Sequence, residues 1–158
     1  KGKTAPAIPK AVKSFLSDTS SFSPEWSGSI LRMLPESVRG AYPLLREHLR
    51  ILSAGICIGE AKGKDFIPAE ELALSTALRP DAFPVADLDW DDAIRYLKKE
   101  ALLLPAGTEK GYVLVRHKKF PLGFAKHLGN RANNLYPQEW RIRSGHLPEE
   151  VLELAAIL

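Results

Sequence analysis

The side chains that could do chemistry are concentrated in the stretch FPLGFAKHLGNRANNLYPQEWRIR, residues 120–143. Cationic, amide and aromatic side chains are interleaved along this stretch. Cations bind phosphates, amides bind base edges and 2′-hydroxyls, and an aromatic face stacks on an unpaired base, so the mixture indicates RNA recognition. With two lysines from the preceding turn, the residues predicted to contact RNA are Lys118, Lys119, Lys126, His127, Asn130, Arg131, Asn133, Asn134, Tyr136, Arg141 and Arg143.

The same residue types have structural alternatives. Phe124, Tyr136 and Trp140 are also typical core residues of strands, and asparagines form turns. For the aromatic rings we favour the core role, although Tyr136 stays among the predicted contacts. For the cations and amides we favour RNA binding.

Charge is distributed unevenly along the chain, whose net charge is +3. Residues 60–108 hold six lysines and arginines against ten acidic residues, whereas residues 109–143 hold eight against two glutamates. We call residues 109–143 the basic segment. On charge alone, a phosphate-bearing partner and a solvated charged face explain this segment equally well.

The sequence lacks the constellations that catalysis needs. It has no Gly-rich phosphate loop, and its four histidines are never at metal-ligand spacing, so we expect no catalytic residue and no metal site. Cys57 lies in an apolar triplet, where burial raises the pKa of a thiol, and we assign it to the core. An enzyme whose site has no recognisable sequence motif is a further interpretation. A deep pocket with converging ionisable groups would support it.

The cysteine count and the hydropathy pattern bear on location. A single cysteine allows no internal disulfide, which favours a reducing compartment, the cytoplasm. No apolar run approaches the roughly 20 residues that cross a bilayer, so we expect no membrane contact. The sequence begins Lys1-Gly2-Lys3 without a methionine, which indicates a piece of a longer protein.

The elements of the first half are short. Residues 1–28 carry prolines and serines typical of a linker, with one short helix. We predict a strand over residues 29–34 and a buried strand over residues 50–59, where Gly55 lets another backbone approach. A helix is expected from Pro68 to about residue 78.

The second half predicts a hairpin between helices. Asp89 is expected to cap a helix. Residues 112–126 form two strand-like runs around a basic tip at residues 118–119. We predict a further strand over residues 135–143 and an amphipathic helix over residues 148–158. The fold class is therefore α+β, a small barrel flanked by short helices.

These features resemble a known family. The matching positions are Tyr96-Leu97-Lys98 at a helix end, the strand Val113-Leu114-Val115, Pro121-Leu122-Gly123 leading to Lys126, Gly129-Asn130-Arg131 followed by Asn134, Tyr136 and Pro137, and upstream HLRILSAGICIGE at residues 48–60 with Phe66 and Pro68. Together they resemble the C-terminal region of bacterial Sun-type RNA cytosine-C5 methyltransferases, in the subfamily that includes ribosomal RNA methyltransferase F. In that family a PUA-like RNA-binding domain follows the catalytic domain.

The resemblance implies a fold and a domain organisation. The fold would be a small PUA-like mixed β-barrel with flanking short helices, preceded by a small α/β pre-PUA segment. Residues 1–28 would be a linker or N-terminal extension, and residues 29–79 the pre-PUA-like segment. Residues 80–146 would form the PUA-like domain, and residues 147–158 a C-terminal helix.

The resemblance also implies a parent enzyme that methylates carbon 5 of a ribosomal RNA cytosine with S-adenosylmethionine. The two family cysteines, in Pro-Cys and Thr-Cys contexts, have no counterpart, and Cys57 matches neither. We therefore expect the catalytic domain to lie outside this chain, which would bind no cofactor and transfer no methyl group.

The expected partners are ribosomal RNA or the small ribosomal subunit, and the N-terminal catalytic domain of the same protein; the chain would be a monomer. A different class of function stays open. The chain could be a structural tail that packs on its own catalytic domain without touching RNA.

Overall fold

The computed structural model describes residue 8 and residues 10–146. Over these residues the chain forms two four-stranded β-sheets with short helices around them. This architecture confirms the α+β class and agrees with a small PUA-like β domain with flanking helices. The described helices are all too short to cross a membrane.

The first sheet is antiparallel, and its strands lie in the order β1 (Phe22–Ser27), β2 (Ile30–Pro35), β3 (Ile56–Lys62) and β4 (Asp65–Pro68). Strand β2 confirms the strand predicted over residues 29–34, whereas β3 begins later than predicted. Gly55, with a φ of +63°, turns the chain just before β3, and a Cβ there would lie 2.2 Å from the carbonyl oxygen of Met33. The close approach predicted at Gly55 is confirmed.

Residues 10–28, within the segment predicted as a linker or N-terminal extension, take part in the fold. Helix α1 (Lys10–Lys13) and β1 belong to the fold, and Val12 and Leu16 are buried in the core. Some of the serines lie in the turn before β1, where the Asp18 carboxylate accepts hydrogen bonds from Ser20 and Ser21. The short helix predicted within this segment is confirmed as α1.

The helix predicted from Pro68 is also shorter than expected. Pro68 ends β4, where it pairs with Gly59, and helix α3 covers only Glu70–Ala73. The chain then leaves the helix because Leu78 forms a β-bridge with Leu16. Pairing with distant strands thus overrides the local helical pattern. Between β2 and β3 lie a 3-10 turn (Glu36–Val38) and helix α2 (Tyr42–His48).

The second sheet has the order β5 (Val85–Asp87), β6 (Gly111–His117), β7 (Phe120–His127) and β8 (Ala132–Asn134), with β5 parallel to β6 and the others antiparallel. The predicted hairpin is confirmed as β6–β7. Lys118 and Lys119, with φ of +47° and +71°, form its tip. Positive φ at both positions is the conformation of a type I′ turn, whose twist matches the flanking strands.

Helix α4 (Trp90–Leu97) connects β5 to β6, and its predicted cap is confirmed. The carboxylate of Asp89 accepts a hydrogen bond of 2.9 Å from the backbone N–H of Asp92. The strand predicted over residues 135–143 is wrong. The strand is β8, upstream, and Pro137 begins a turn in which its carbonyl accepts the N–H of Trp140. The helix predicted over residues 148–158 lies outside the described residues.

Two hydrophobic clusters hold the described fold together. The first joins the two sheets, since buried residues of β2, β3 and α3 pack with Leu114 of β6 and Phe124 of β7. The second lies on the opposite face of the second sheet, where α4 packs. Its buried members are Leu88, Ala93, Tyr96, Leu102, Val115, Ala125 and Ala132.

Candidate nucleic-acid interface

The predicted RNA contacts do not converge on one point. Lys118 and Lys119 are exposed at one end of the β6–β7 hairpin, whereas Asn130 and Arg131 are exposed in the turn after β7. The eight residues of β7 separate these ends by about 23 Å at the strand rise of roughly 3.3 Å per residue. His127 lies at the second end, with its Nδ1 3.0 Å from the carbonyl oxygen of Glu109.

Lys126 joins the two sheets. Its ammonium lies 2.5 Å from Oδ2 of Asp65 in β4, and the hydroxyl of Tyr112 donates to the same oxygen at 2.9 Å. The hydrogen bond to Asp65 raises the pKa of Lys126, and the ammonium lowers the pKa of Asp65. Asn133 pairs with Lys126 across the sheet and is exposed. Because of its pair with Asp65, the positive charge of Lys126 is already balanced by a carboxylate.

Asn134 and Tyr136 fasten β8 to the end of α4. The Asn134 amide donates to the carbonyl oxygens of Tyr96 at 2.8 Å and Glu100 at 3.1 Å, while its oxygen accepts the N–H of Tyr136 at 2.9 Å. The Tyr136 ring packs edge-on against Tyr96. These contacts give both side chains a structural function.

The aromatic side chains divide between core and surface. Phe124 is fully buried, which confirms its predicted core role. Trp140 is 47% exposed, so the core role predicted for it is wrong. The reason is the turn at residues 137–140, which replaces the expected strand and leaves the indole at the surface, edge-on to Tyr136 at 6.3 Å between ring centroids.

A groove at the end of α4, lined by the chain from the residue after Trp140 on, brings together cations that sequence reasoning only partly identified. The backbone N–H of Ile142 donates to the carbonyl oxygen of Leu97 at 2.9 Å, which holds this segment against the end of α4. We call the resulting groove, of about 360 Å³, the α4 groove; it is lined by Lys98, Glu100, Arg141, Ile142, Arg143, Ser144 and Gly145. Lys98 was missed as a site residue, although it follows the Tyr96-Leu97 pair that carried the family resemblance.

Seven cations among residues 83–146 have no ion pair and no side-chain hydrogen bond to any residue the structure describes. We call them the free cations: Lys98, Lys110, Lys118, Lys119, Arg131, Arg141 and Arg143. Arg116 differs, because it forms a bidentate pair with Asp87. Free cations can contact phosphates without first breaking an internal pair.

Sequence reasoning missed one buried carboxyl group. Glu70 is 8% exposed between α3 and β7, and its Oε1 has no hydrogen-bond partner among the described residues. Burial raises the pKa of Glu70 to about 7. The Tyr96 hydroxyl lies 3.0 Å from the carbonyl oxygen of Phe124 and 3.5 Å from Oε2 of Glu70, and it can donate to either. No local sequence signal marks this residue, since Glu at the start of a helix is ordinarily exposed.

Cys57 is half-buried, which corrects its assignment to the core. Its backbone N–H donates to the Glu71 carboxylate at 2.8 Å, and burial raises the pKa of the thiol, as predicted.

Within the described part of the chain, no three acidic, histidine or cysteine side chains are grouped closely enough to hold a metal ion. The geometry of this half therefore supplies binding groups, chiefly cations and an exposed indole.

Comparisons with known proteins agree with this part of the fold. Residues 83–142 match the family model of the methyltransferase RsmF PUA domain, a range that includes β5 to β8 and α4. Over 92 residues the chain is 32% identical to the ribosomal RNA small subunit methyltransferase F of Shewanella pealeana. The alignment covers 58% of this chain and 18% of that protein, so the chain spans about a fifth of its relative's length. Residues 83–142 are therefore similar to the PUA domain of RsmF-type methyltransferases.

Proposed function

We propose that this chain binds ribosomal RNA and positions it for the catalytic domain of an rRNA cytosine-C5 methyltransferase. The observation that carries the proposal is that six of the seven free cations lie within residues 83–142, the range that matches the RsmF PUA domain. Cations that contact phosphates release the counterions condensed on the RNA, which drives binding. The chain would act as a cytoplasmic monomer.

The methyl donor would bind elsewhere in the parent enzyme. S-adenosylmethionine, the donor that the family resemblance implies, would bind on a Rossmann-like sheet, whose parallel strands are joined by helices through glycine-rich turns. Among the described residues, β5, α4 and β6 form the only parallel crossover, and its turn is Leu88-Asp89 without glycine. The residues present do not fit the cofactor, so methyl transfer would belong to a separate catalytic domain.

Direct titration tests RNA binding. We expect the chain to bind labelled structured rRNA fragments more tightly than duplex DNA. We also expect affinity to fall with salt, with a log–log slope of about −0.7 for each phosphate contacted on single strands. Binding is measured by fluorescence anisotropy at two salt concentrations. Absence of binding, or equal binding to DNA, would overturn the proposal.

A second candidate function is attachment to the catalytic domain of the same protein. Helix α2 and the residues after it bury none of their leucines: Leu44 is 60% exposed and Leu52 is 85% exposed. Exposed apolar groups clustered in this way are typical of a contact with another domain. The face lies on the first sheet's side of the molecule, outside the residues that match the PUA domain.

Replacing two of these leucines separates the two candidate functions. We expect Leu44→Ser with Leu52→Ser to leave the unfolding midpoint unchanged, because neither side chain is buried in the chain itself. If the face attaches to the catalytic domain, the variant binds the separately produced remainder of the parent enzyme at least about tenfold more weakly, a loss of roughly 1.4 kcal/mol. Calorimetric titration measures this affinity. An unchanged affinity would exclude the leucines from that contact, and RNA affinity of the same variant serves as the control.

A further inference from the structure

We propose that the α4 groove binds one nucleotide of single-stranded RNA, with its phosphate on Arg141, Arg143 and Lys98 and its base stacked on Trp140. The inference rests on the proposed function, because it names where on this chain the RNA is held. The proposal favours this groove over the hairpin tip, where Lys118 and Lys119 are also exposed.

The charges of the groove favour a phosphate. Three of its lining side chains are cations and one, Glu100, is a carboxylate. None of the three cations is paired with a carboxylate that the structure describes. A guanidinium presents two parallel N–H groups that match two phosphate oxygens, so two arginines on one short segment suit a phosphodiester.

The electrostatic surroundings of the hairpin tip are less favourable. The side chain of His117, beside the tip, contacts the carbonyl oxygen of Leu88 and the ring of Trp90. His117 is therefore engaged within the fold, which leaves Lys118 and Lys119 as the cations of the tip. The α4 groove has three cations, two of them guanidiniums whose parallel N–H groups match phosphate oxygens, and this makes it the stronger phosphate site.

Backbone hydrogen bonds hold the segment that carries Trp140 before any ligand arrives. Its N–H donates to the carbonyl oxygen of Pro137, and two residues later Ile142 donates to Leu97. One side of the indole meets Tyr136, and 47% of the residue is exposed. An aromatic ring held in this way loses little conformational freedom when a base stacks on it.

The size of the groove limits what it can hold. Its volume of about 360 Å³ lies at the lower end of the range for small-ligand sites, roughly 300–1,000 Å³. A groove of this size suits a single unstacked nucleotide. The ligand is therefore a nucleotide in a loop or a single-stranded segment, where bases are free to leave the stack.

The test compares two double variants of the whole chain that remove the same charge. Affinity for a fluorescein-labelled oligouridine is measured for Arg141→Ala with Arg143→Ala and for Lys118→Ala with Lys119→Ala. We expect the arginine variant to bind at least about tenfold more weakly and its salt slope to fall by about 1.4, the value for two lost phosphate contacts. The lysine variant should lose about twofold.

Trp140 provides an independent readout of stacking. We expect Trp140→Leu to weaken binding about tenfold without changing the salt slope, because stacking involves no counterion release. Trp140→Phe keeps an aromatic face and should restore most of the affinity. Thermal unfolding of every variant establishes that the fold is retained.

The outcomes separate the groove from the proposed function. If the chain binds the RNA but the two double variants lose affinity equally, the groove assignment is overturned and RNA binding stands. If Trp140→Leu changes the affinity no more than Trp140→Phe does, stacking on the indole is overturned. If the unaltered chain binds no RNA, both proposals fail together.

Discussion

The free energy of unfolding is expected to fall by on the order of 3 kcal/mol as the pH rises from about 4.5 to about 7, because Glu70 must give up its proton inside the protein. In the unfolded chain this carboxyl has its ordinary pKa of 4.5, and burial raises the pKa to about 7 in the folded state. Between these values the folded protein holds a proton that the unfolded chain has lost. The stabilisation is complete below the unfolded pKa and is lost as the pH passes the folded one.

Urea unfolding at a series of pH values measures this dependence. The groups facing Glu70 are the Tyr96 hydroxyl, the backbone N–H of Phe124 and, at longer range, Lys99. Asp65 and Asp87 have lowered pKa values in the folded protein, so the stabilisation they give is lost as the pH falls. That loss occurs at more acidic pH than the loss at Glu70. The window up to about pH 7 therefore reports mainly on Glu70.

Glu70→Gln is the matched variant, because the amide has the shape of the protonated carboxyl and does not ionise. It should remove most of the pH dependence and be more stable than the unaltered chain above pH 7. A variant with the same slope as the unaltered chain would show that another group is responsible.

Gly123→Ala is expected to destabilise the fold by at least about 3 kcal/mol. Gly123 has a φ of +150°, and a Cβ there would lie 1.9 Å from Oε1 of Glu70 and 2.2 Å from the hydroxyl of Tyr96. Both groups are buried, so neither can move aside without disturbing the packing of α3 or α4 on β7. Chemical unfolding measures the loss.

Gly107→Ala is the control for the backbone cost alone. Gly107 also has a positive φ, +84°, but nothing lies within 4 Å of its added Cβ. We expect this control to lose about 1–2 kcal/mol, the usual cost of a left-handed conformation. Equal losses at the two positions would mean that the contact with Glu70 and Tyr96 is not the cause. Adding Glu70→Ala to Gly123→Ala should recover part of the loss.

The elements that sequence reasoning predicted well are those whose causes are local. Asp89 caps α4 through a backbone N–H three residues away, and the β6–β7 hairpin follows from two strand-like runs around a two-residue tip. The errors arose where a contact with a residue far away in sequence determines the local structure. Pro68 ends a strand because β3 lies beside it, and Leu16, predicted on the short helix of the first segment, lies beyond α1 because it forms a β-bridge with Leu78.

The predictions for the candidate site succeeded and failed for the same reasons. The basic segment was visible in the sequence, but the pairing of Lys126 with a carboxylate 61 residues away was not. Trp140 was assigned to the core because a strand was expected around it. Lys98 is brought to Arg141 and Arg143 by a backbone hydrogen bond between Leu97 and Ile142, a contact that no spacing rule predicts. The predicted RNA contacts themselves stay predictions.

The hydrophobic cluster between the two sheets sets the limits of the smallest unit that can fold independently. Leu114 and Phe124 lie in the PUA-like segment, yet they are covered by Leu31, Ile58 and Leu72 from outside it. Excising residues 83–142 would expose this apolar surface to water and leave a piece prone to aggregation. Both sheets therefore belong to one cooperative folding unit, and a transplant of the second sheet into another protein must carry both of them.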